Sequence, residues 1–152
     1  MSEYENLKLD HQLCFALYAA SHALTRAYRS ALENTGLTYT QYLVMLVLWE
    51  SDCTSVNTIA QRLELNSATL TPMLKRLESA GFIKRSRSSK DERIVEIKLT
   101  DTGKNLKDEV AKAQQNVECQ TGLCDEEFIR LRESLHRLTE TMAENAKKAQ
   151  AA

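Results

Sequence analysis

Four cysteines are spread along the chain, Cys14, Cys53, Cys119 and Cys124, and their thiols are the most reactive side chains the sequence offers. In a reducing cytosol they are not expected to act as permanent disulfide staples. Cys119 and Cys124 make at most half of a zinc site, and no pair of histidines stands nearby to complete it. No metal or cofactor is therefore expected. Two readings remain for the thiols, inert packing or redox chemistry. His11, His22 and His136 show no ligand spacing and are assigned no role.

A second set of residues could do electrostatic work. Lys75, Arg76, Lys84, Arg85, Arg87, Lys90, Arg93 and Lys98 face Glu78, Asp91, Glu92 and Glu96 within one short tract, in a chain whose formal charge is only -1. The tract therefore carries a local excess of about four positive charges. Binding to phosphates needs such a concentrated positive face, and the whole-chain balance hides it.

The elements that would position these charges run from Val56 to Leu99. Val56, Ile59, Ala60 and Leu63 have the period of a short helix. A break at Glu64-Leu65-Asn66 follows, and Asn66 or Ser67 can cap a second helix carrying Leu70, Met73, Leu74 and Leu77. Gly81 suits the left-handed residue after its end. The period then drops to two at Phe82–Arg85 and again at Ile94–Leu99, with a polar tip, Ser86 to Arg93, between the two strands. Helix, tight turn, helix and ribbon form a winged helix-turn-helix over residues 53–99, with the second helix aimed at a major groove and the tip at the neighbouring minor groove. Ser67, Thr69 and Thr71 lie near the start of that helix, where short polar side chains reach bases or phosphates. Lys75 and Arg76 suit backbone contacts, and Arg85, Arg87 and Lys90 suit phosphates near the wing.

The flanks read as helix. With one Pro and four Gly among 152 residues there is little linker, so a single domain over 1–152 is expected. Leu7 to Asn34 carries an apolar stripe through Leu9, Leu13, Leu17, Ala20, Leu24, Ala27 and Ala31, with Cys14 and Tyr18 one turn apart on another part of the surface. Thr38 or Thr40 can cap a buried helix that ends near Glu50, and Ser51 to Ser55 reads as a loop. Thr100 can cap a helix behind the ribbon. Gly122 marks a break, and Asp125 caps a last helix with a seam of Phe128, Leu131, Leu135, Leu138 and Met142. The fold class is mainly α with a small β-ribbon (α+β). The stripes on 7–34 and 100–146 predict dimerisation helices and a homodimer, whose two-fold symmetry suits a pseudo-palindromic duplex. The acidic start Met1-Ser2-Glu3-Tyr4-Glu5 lacks the apolar core of a signal peptide, and Leu43–Trp49 is too short to span a bilayer, so a cytoplasmic protein without a membrane partner is expected.

The order of helices, the tract Leu70-Thr71-Pro72-Met73-Leu74-Lys75-Arg76-Leu77-Glu78-Ser79-Ala80-Gly81-Phe82-Ile83 and the tip Lys90-Asp91-Glu92-Arg93 resemble the MarR-type winged-helix regulators. The resemblance implies that Arg93 enters the minor groove and that Asp91 helps to hold the tip. Nearer the amino end, Asp10-His11-Gln12-Leu13-Cys14-Phe15-Ala16-Leu17-Tyr18-Ala19-Ala20-Ser21 and Thr38-Tyr39-Thr40-Gln41-Tyr42 resemble the OhrR branch, the repressors that sense organic hydroperoxides. This implies that Cys14 is the peroxide-reactive cysteine. It also implies that Tyr28 and Tyr39 of the opposite subunit, with Tyr18, stabilise its thiolate, and that Cys119 resolves the oxidised state. Cys124 lies close by as a second candidate resolver, and Cys53 matches no sensing role.

The function so implied is a redox-sensing transcriptional repressor. Oxidised Cys14 forms a disulfide with the partner subunit, and operator DNA is released. Two other readings compete. A repressor of the same type could instead be released by a small aromatic ligand. A thiol peroxidase using Cys14 in turnover would have no use for a basic winged unit, so no enzyme is expected.

Overall fold

The computed structural model describes residues 4–150. Two compact units make up the chain, Met1–Val117 and Glu118–Ala152. Helix α1 spans Leu13–Ala31 and α2 spans Tyr39–Glu50. A short strand β1, Thr54–Ser55, leads into α3, Val56–Arg62, and then α4, Ser67–Ser79. Strands β2, Ile83–Arg87, and β3, Val95–Leu99, form the wing. Helices α5, Asp101–Asn105, α6, Lys107–Gln120, and α7, Asp125–Gln150, complete the chain.

Local chemistry explains most of the boundaries. The Thr38 hydroxyl accepts the Gln41 N–H while the Gln41 side chain accepts the Thr38 N–H, a reciprocal capping box that starts α2. The Asn66 side chain accepts the Thr69 N–H at 2.8 Å and starts α4. At the other end Gly81 takes φ 80°, its N–H donates to Glu78 O, and the Phe82 N–H donates to Leu77 O. This pair of bonds closes the helix in a Schellman turn.

The core lies in the first unit. Val44, Met45 and Leu48 of α2, Ile59 of α3, Leu70 and Leu77 of α4, and Ile83 and Ile97 of the sheet are withdrawn from water. The apolar run of α2 is thus buried on most sides, as its sequence predicts. By contrast α1 and α7 bury no residue within the single chain, and Leu13 is 62% exposed, Leu131 50% and Met142 64%.

Four expectations need correction. The first helix does not run unbroken from Leu7. Two short 3-10 turns, Glu5–Leu7 and Leu9–His11, precede it, because extended Gln12 turns its side-chain amide back onto the Asn6 and Lys8 carbonyls. Its other end stops at Ala31, and Glu33–Thr35 forms a 3-10 turn before left-handed Gly36. The Ser51–Ser55 segment is not all loop: Thr54 and Ser55 pair antiparallel with Ile97 and Glu96, so the ribbon becomes a three-stranded sheet of order β1-β3-β2. Asp125 does not cap the last helix but is its first residue; Cys124 holds the cap position, its carbonyl accepting the Phe128 N–H and its own N–H donating to Glu127 Oε2. Among the described residues no helix is long and apolar enough to cross a membrane.

Candidate DNA interface and thiol site

Ser67 and Thr69 stand exposed in the first turn of α4, and the Thr71 hydroxyl donates to the Ser67 carbonyl at 2.7 Å. Lys75 and Arg76 are exposed further along the helix. At the wing, the turn is built by short polar side chains. Asp91 accepts the Arg93 N–H at 3.0 Å, and its carbonyl accepts the Ile94 N–H at 2.9 Å. Ser88 is buried, donates its N–H to Ile94 O at 2.8 Å and accepts the Lys90 N–H. Arg87 donates to the Glu92 carbonyl at 3.1 Å.

These elements converge. Arg93 and Arg85 of the wing line a cleft of about 270 Å³ together with Ser67 and Thr71 of α4 and Ser55 and Asn57 at the start of α3. Residues far apart in sequence thus share one concave, cation-bearing face of the lobe. Ser55 and Asn57 were not legible as part of it, because nothing in their types separates them from an ordinary cap.

Cys14 is the second residue of α1 and is exposed. Tyr18 follows one turn on, its ring 4.1 Å from that of His22 and 6.4 Å from that of Phe15. Tyr28 and Tyr39 meet with ring centroids 5.3 Å apart, and Tyr42 joins them at 5.0 and 6.2 Å. Burial, then the neighbouring Tyr28, raises the Tyr39 phenol above its usual range. Burial and a hydrogen bond with Tyr28 raise Tyr42 further. Both phenols therefore keep their protons to a higher pH than a free tyrosine. The sequence reading gave Tyr42 no role of its own beyond the buried helix and the OhrR-like motif, and its spacing three residues beyond Tyr39 was the signal that it shares that face.

Tyr28 lies fourteen residues beyond Cys14 on the same unbroken helix, which is about 21 Å along the axis at the α-helical rise. Within one chain, therefore, the thiol and the tyrosine cluster do not meet. Cys119 is exposed near the end of α6, and exposed Cys124 caps α7 from the position before its first residue. Cys53 sits in a left-handed conformation, φ 62°, with its thiol donating to Glu96 Oε2 at 3.6 Å. Desolvation and the Glu96 carboxylate push that thiol above its usual range, which favours the protonated form.

A family model described as transcriptional regulator SarA/Rot matches residues 26–110. The HTH-type transcriptional regulator TtmR of Methylorubrum extorquens (strain PA1) is 52% identical over 127 residues, which cover 84% of this chain and 65% of that protein, a little under two thirds of its length. The organic hydroperoxide resistance transcriptional regulator of Bacillus subtilis (strain 168) is 40% identical over 141 residues, covering 93% of this chain and 96% of that one. Among solved structures, reduced AbfR bound to DNA matches with a TM-score of 0.79 at 38% identity, over 95% of this chain and 98% of the other. Disulfide-formed AbfR matches at 0.66 and 36%, over 95% and 97%. With the winged lobe formed and such relatives matched along nearly its whole length, the chain belongs to the MarR-type winged-helix transcriptional regulators, a family of DNA-binding proteins rather than enzymes.

Proposed function

We propose that the protein is a homodimeric repressor that grips a pseudo-palindromic operator while Cys14 is reduced and releases it once an organic hydroperoxide has oxidised that sulfur. The observation that carries this reading is the exposed Cys14 thiol in the first turn of α1, a helix that buries none of its side chains within one chain. A second copy covering the apolar faces of α1 and α7 removes their exposed Leu13, Leu24, Leu131 and Met142 from water. It can also bring its own Tyr28 and Tyr39 to the thiol, which the helix length denies to the tyrosines of the same chain. The names of the relatives support both halves: one concerns organic hydroperoxide resistance, and another is solved reduced on DNA and in a disulfide form.

The chemistry follows. Phenol O–H groups hydrogen-bonded to the Cys14 sulfur favour the thiolate. The thiolate attacks one peroxide oxygen; an S–O bond forms, the O–O bond breaks and an alcohol leaves. A second thiol, Cys119 or Cys124 of the partner, then attacks the sulfenic sulfur. An S–S bond forms, the S–O bond breaks and water leaves. A disulfide holds its two Cα atoms within ~4.4–6.8 Å, so its formation pulls helices together and turns one winged lobe against the other. A coupling of ~3 kcal/mol lowers operator affinity by over a hundredfold.

On DNA, Ser67, Thr69 and Thr71 take bases or phosphates at the start of α4, Lys75 and Arg76 the backbone, and Arg87 and Lys90 phosphates near the wing. Arg93 enters the minor groove from a tip held by Asp91. A gel-shift titration with cumene hydroperoxide tests the reading. Operator is released from the wild type and kept by Cys14→Ser; release that persists in Cys14→Ser refutes the sensor and favours a bound small molecule.

A further inference from the structure

Glu78, in the last turn of α4, reaches across to the wing. Its Oε1 accepts the Arg85 N–H at 3.1 Å and its Oε2 accepts Arg85 Nε at 2.7 Å. One carboxylate therefore holds both the main chain and the side chain of β2. The pair is partly withdrawn from water, with side-chain exposures of 29% for Arg85 and 36% for Glu78. Hydrogen bonds from the Arg85 side chain and backbone hold the Glu78 carboxyl below its usual range. Among the described residues this is the only ion pair between α4 and the ribbon. Leu77 of α4 and Ile83 of β2 are both buried in the one core cluster, and such aliphatic packing has little directionality. Arg85 in turn lines the cleft it shares with Ser67, Thr71 and Arg93.

An acidic side chain amid eight basic ones is a puzzle for a surface that must attract phosphates. As a bare charge it weakens every DNA complex alike. We propose that Glu78 is a specificity-determining positioning residue: through Arg85 it fixes the wing against the recognition helix, so that both grooves of one duplex are met at once. The inference rests on the DNA-binding reading above. It also moves Arg85 from a free phosphate ligand to a strut whose direction is set by Glu78.

The two roles predict opposite signs. The reduced full-length protein is titrated by fluorescence anisotropy into a duplex selected by the wild type from a random pool, and into a random duplex of equal length at equal salt. The latch predicts that Glu78→Gln loses roughly five- to tenfold affinity for the selected duplex, while affinity for the random one stays or rises. Glu78→Asp, which keeps the charge and shortens the reach, loses discrimination in the same way. Arg85→Lys, which keeps the charge and removes Nε, carries the same test if Glu78→Gln lacks a cooperative thermal transition. Parallel changes on both duplexes, or full discrimination in Glu78→Asp, overturn the latch. A wild type that selects no duplex overturns the DNA-binding reading instead.

Discussion

The indole N–H of Trp49 on α2 donates to the carbonyl of Gly103, 54 residues further along the chain, at 2.9 Å. Gly103 lies in the first turn of α5, where its own N–H donates to the Thr100 hydroxyl. A Cβ at Gly103 would stand 2.1 Å from the Phe82 carbonyl oxygen, which accepts the Thr100 N–H. The root of the wing, the end of α2 and the start of the distal helices thus share one joint with no room for a methyl group.

Gly103→Ala must therefore push backbone away from backbone. We expect a loss of about 1–3 kcal/mol, read as a lower urea midpoint by far-UV circular dichroism. An unchanged midpoint would show that the joint is looser than its geometry. Trp49→Phe removes one donor and should cost about 1 kcal/mol.

Arg93 stands on a turn whose backbone is set by Asp91 and Ser88, so trimming its side chain leaves the tip intact. Arg93→Ala should weaken operator binding about tenfold and leave the rate of Cys14 oxidation unaltered. Equal affinity of variant and wild type in a gel shift would remove Arg93 from the interface.

The phenols of Tyr39 and Tyr42 are both raised above 10.0, first by burial. The folded chain therefore keeps two protons that the unfolded chain gives up above that pH. Their contribution is fully present below pH 10 and is lost as pH rises through the folded values. Thermal midpoints measured between pH 7 and about pH 11 should fall at the alkaline end, and Tyr42→Phe should flatten that fall. A wild-type midpoint that rises across the window would contradict the assignment.

Much of this was readable beforehand because it is local. Asn66, Thr38 and Gly81 sit where caps are needed, and each sets a helix end through its nearest neighbours. The failures share the opposite property. Strand β1 has two residues, too few for any alternation, and exists only because β3 lies beside it. Gln12 interrupts a good helical pattern by bonding backward to carbonyls, and Cys124 caps a helix by its position between Thr121 and Glu127. Within the proposed site, the roles given to Cys14, Tyr28 and Tyr39 rest on resemblance alone, since nothing in a lone cysteine marks it as reactive. The Ser55–Asn57 wall and the Glu78–Arg85 pair became visible only with the fold.

In the proposed cycle either Cys119 or Cys124 resolves the oxidised state, and non-reducing gels separate the two. A Cys14–Cys119 bridge gives a covalent dimer on oxidation that vanishes in Cys119→Ser. Survival of the dimer there, with loss in Cys124→Ser, assigns the role to the thiol at the start of α7.

The most direct test of the account follows DNA release and sulfur chemistry in one titration. Reduced protein on a labelled operator receives organic hydroperoxide in sub-stoichiometric steps, while anisotropy reads the bound fraction and mass spectrometry reads the state of each cysteine. The account predicts that release tracks the loss of the Cys14 thiol and is complete near one equivalent per subunit. Operator still held when Cys14 is fully oxidised, or released while Cys14 remains a thiol, would contradict it.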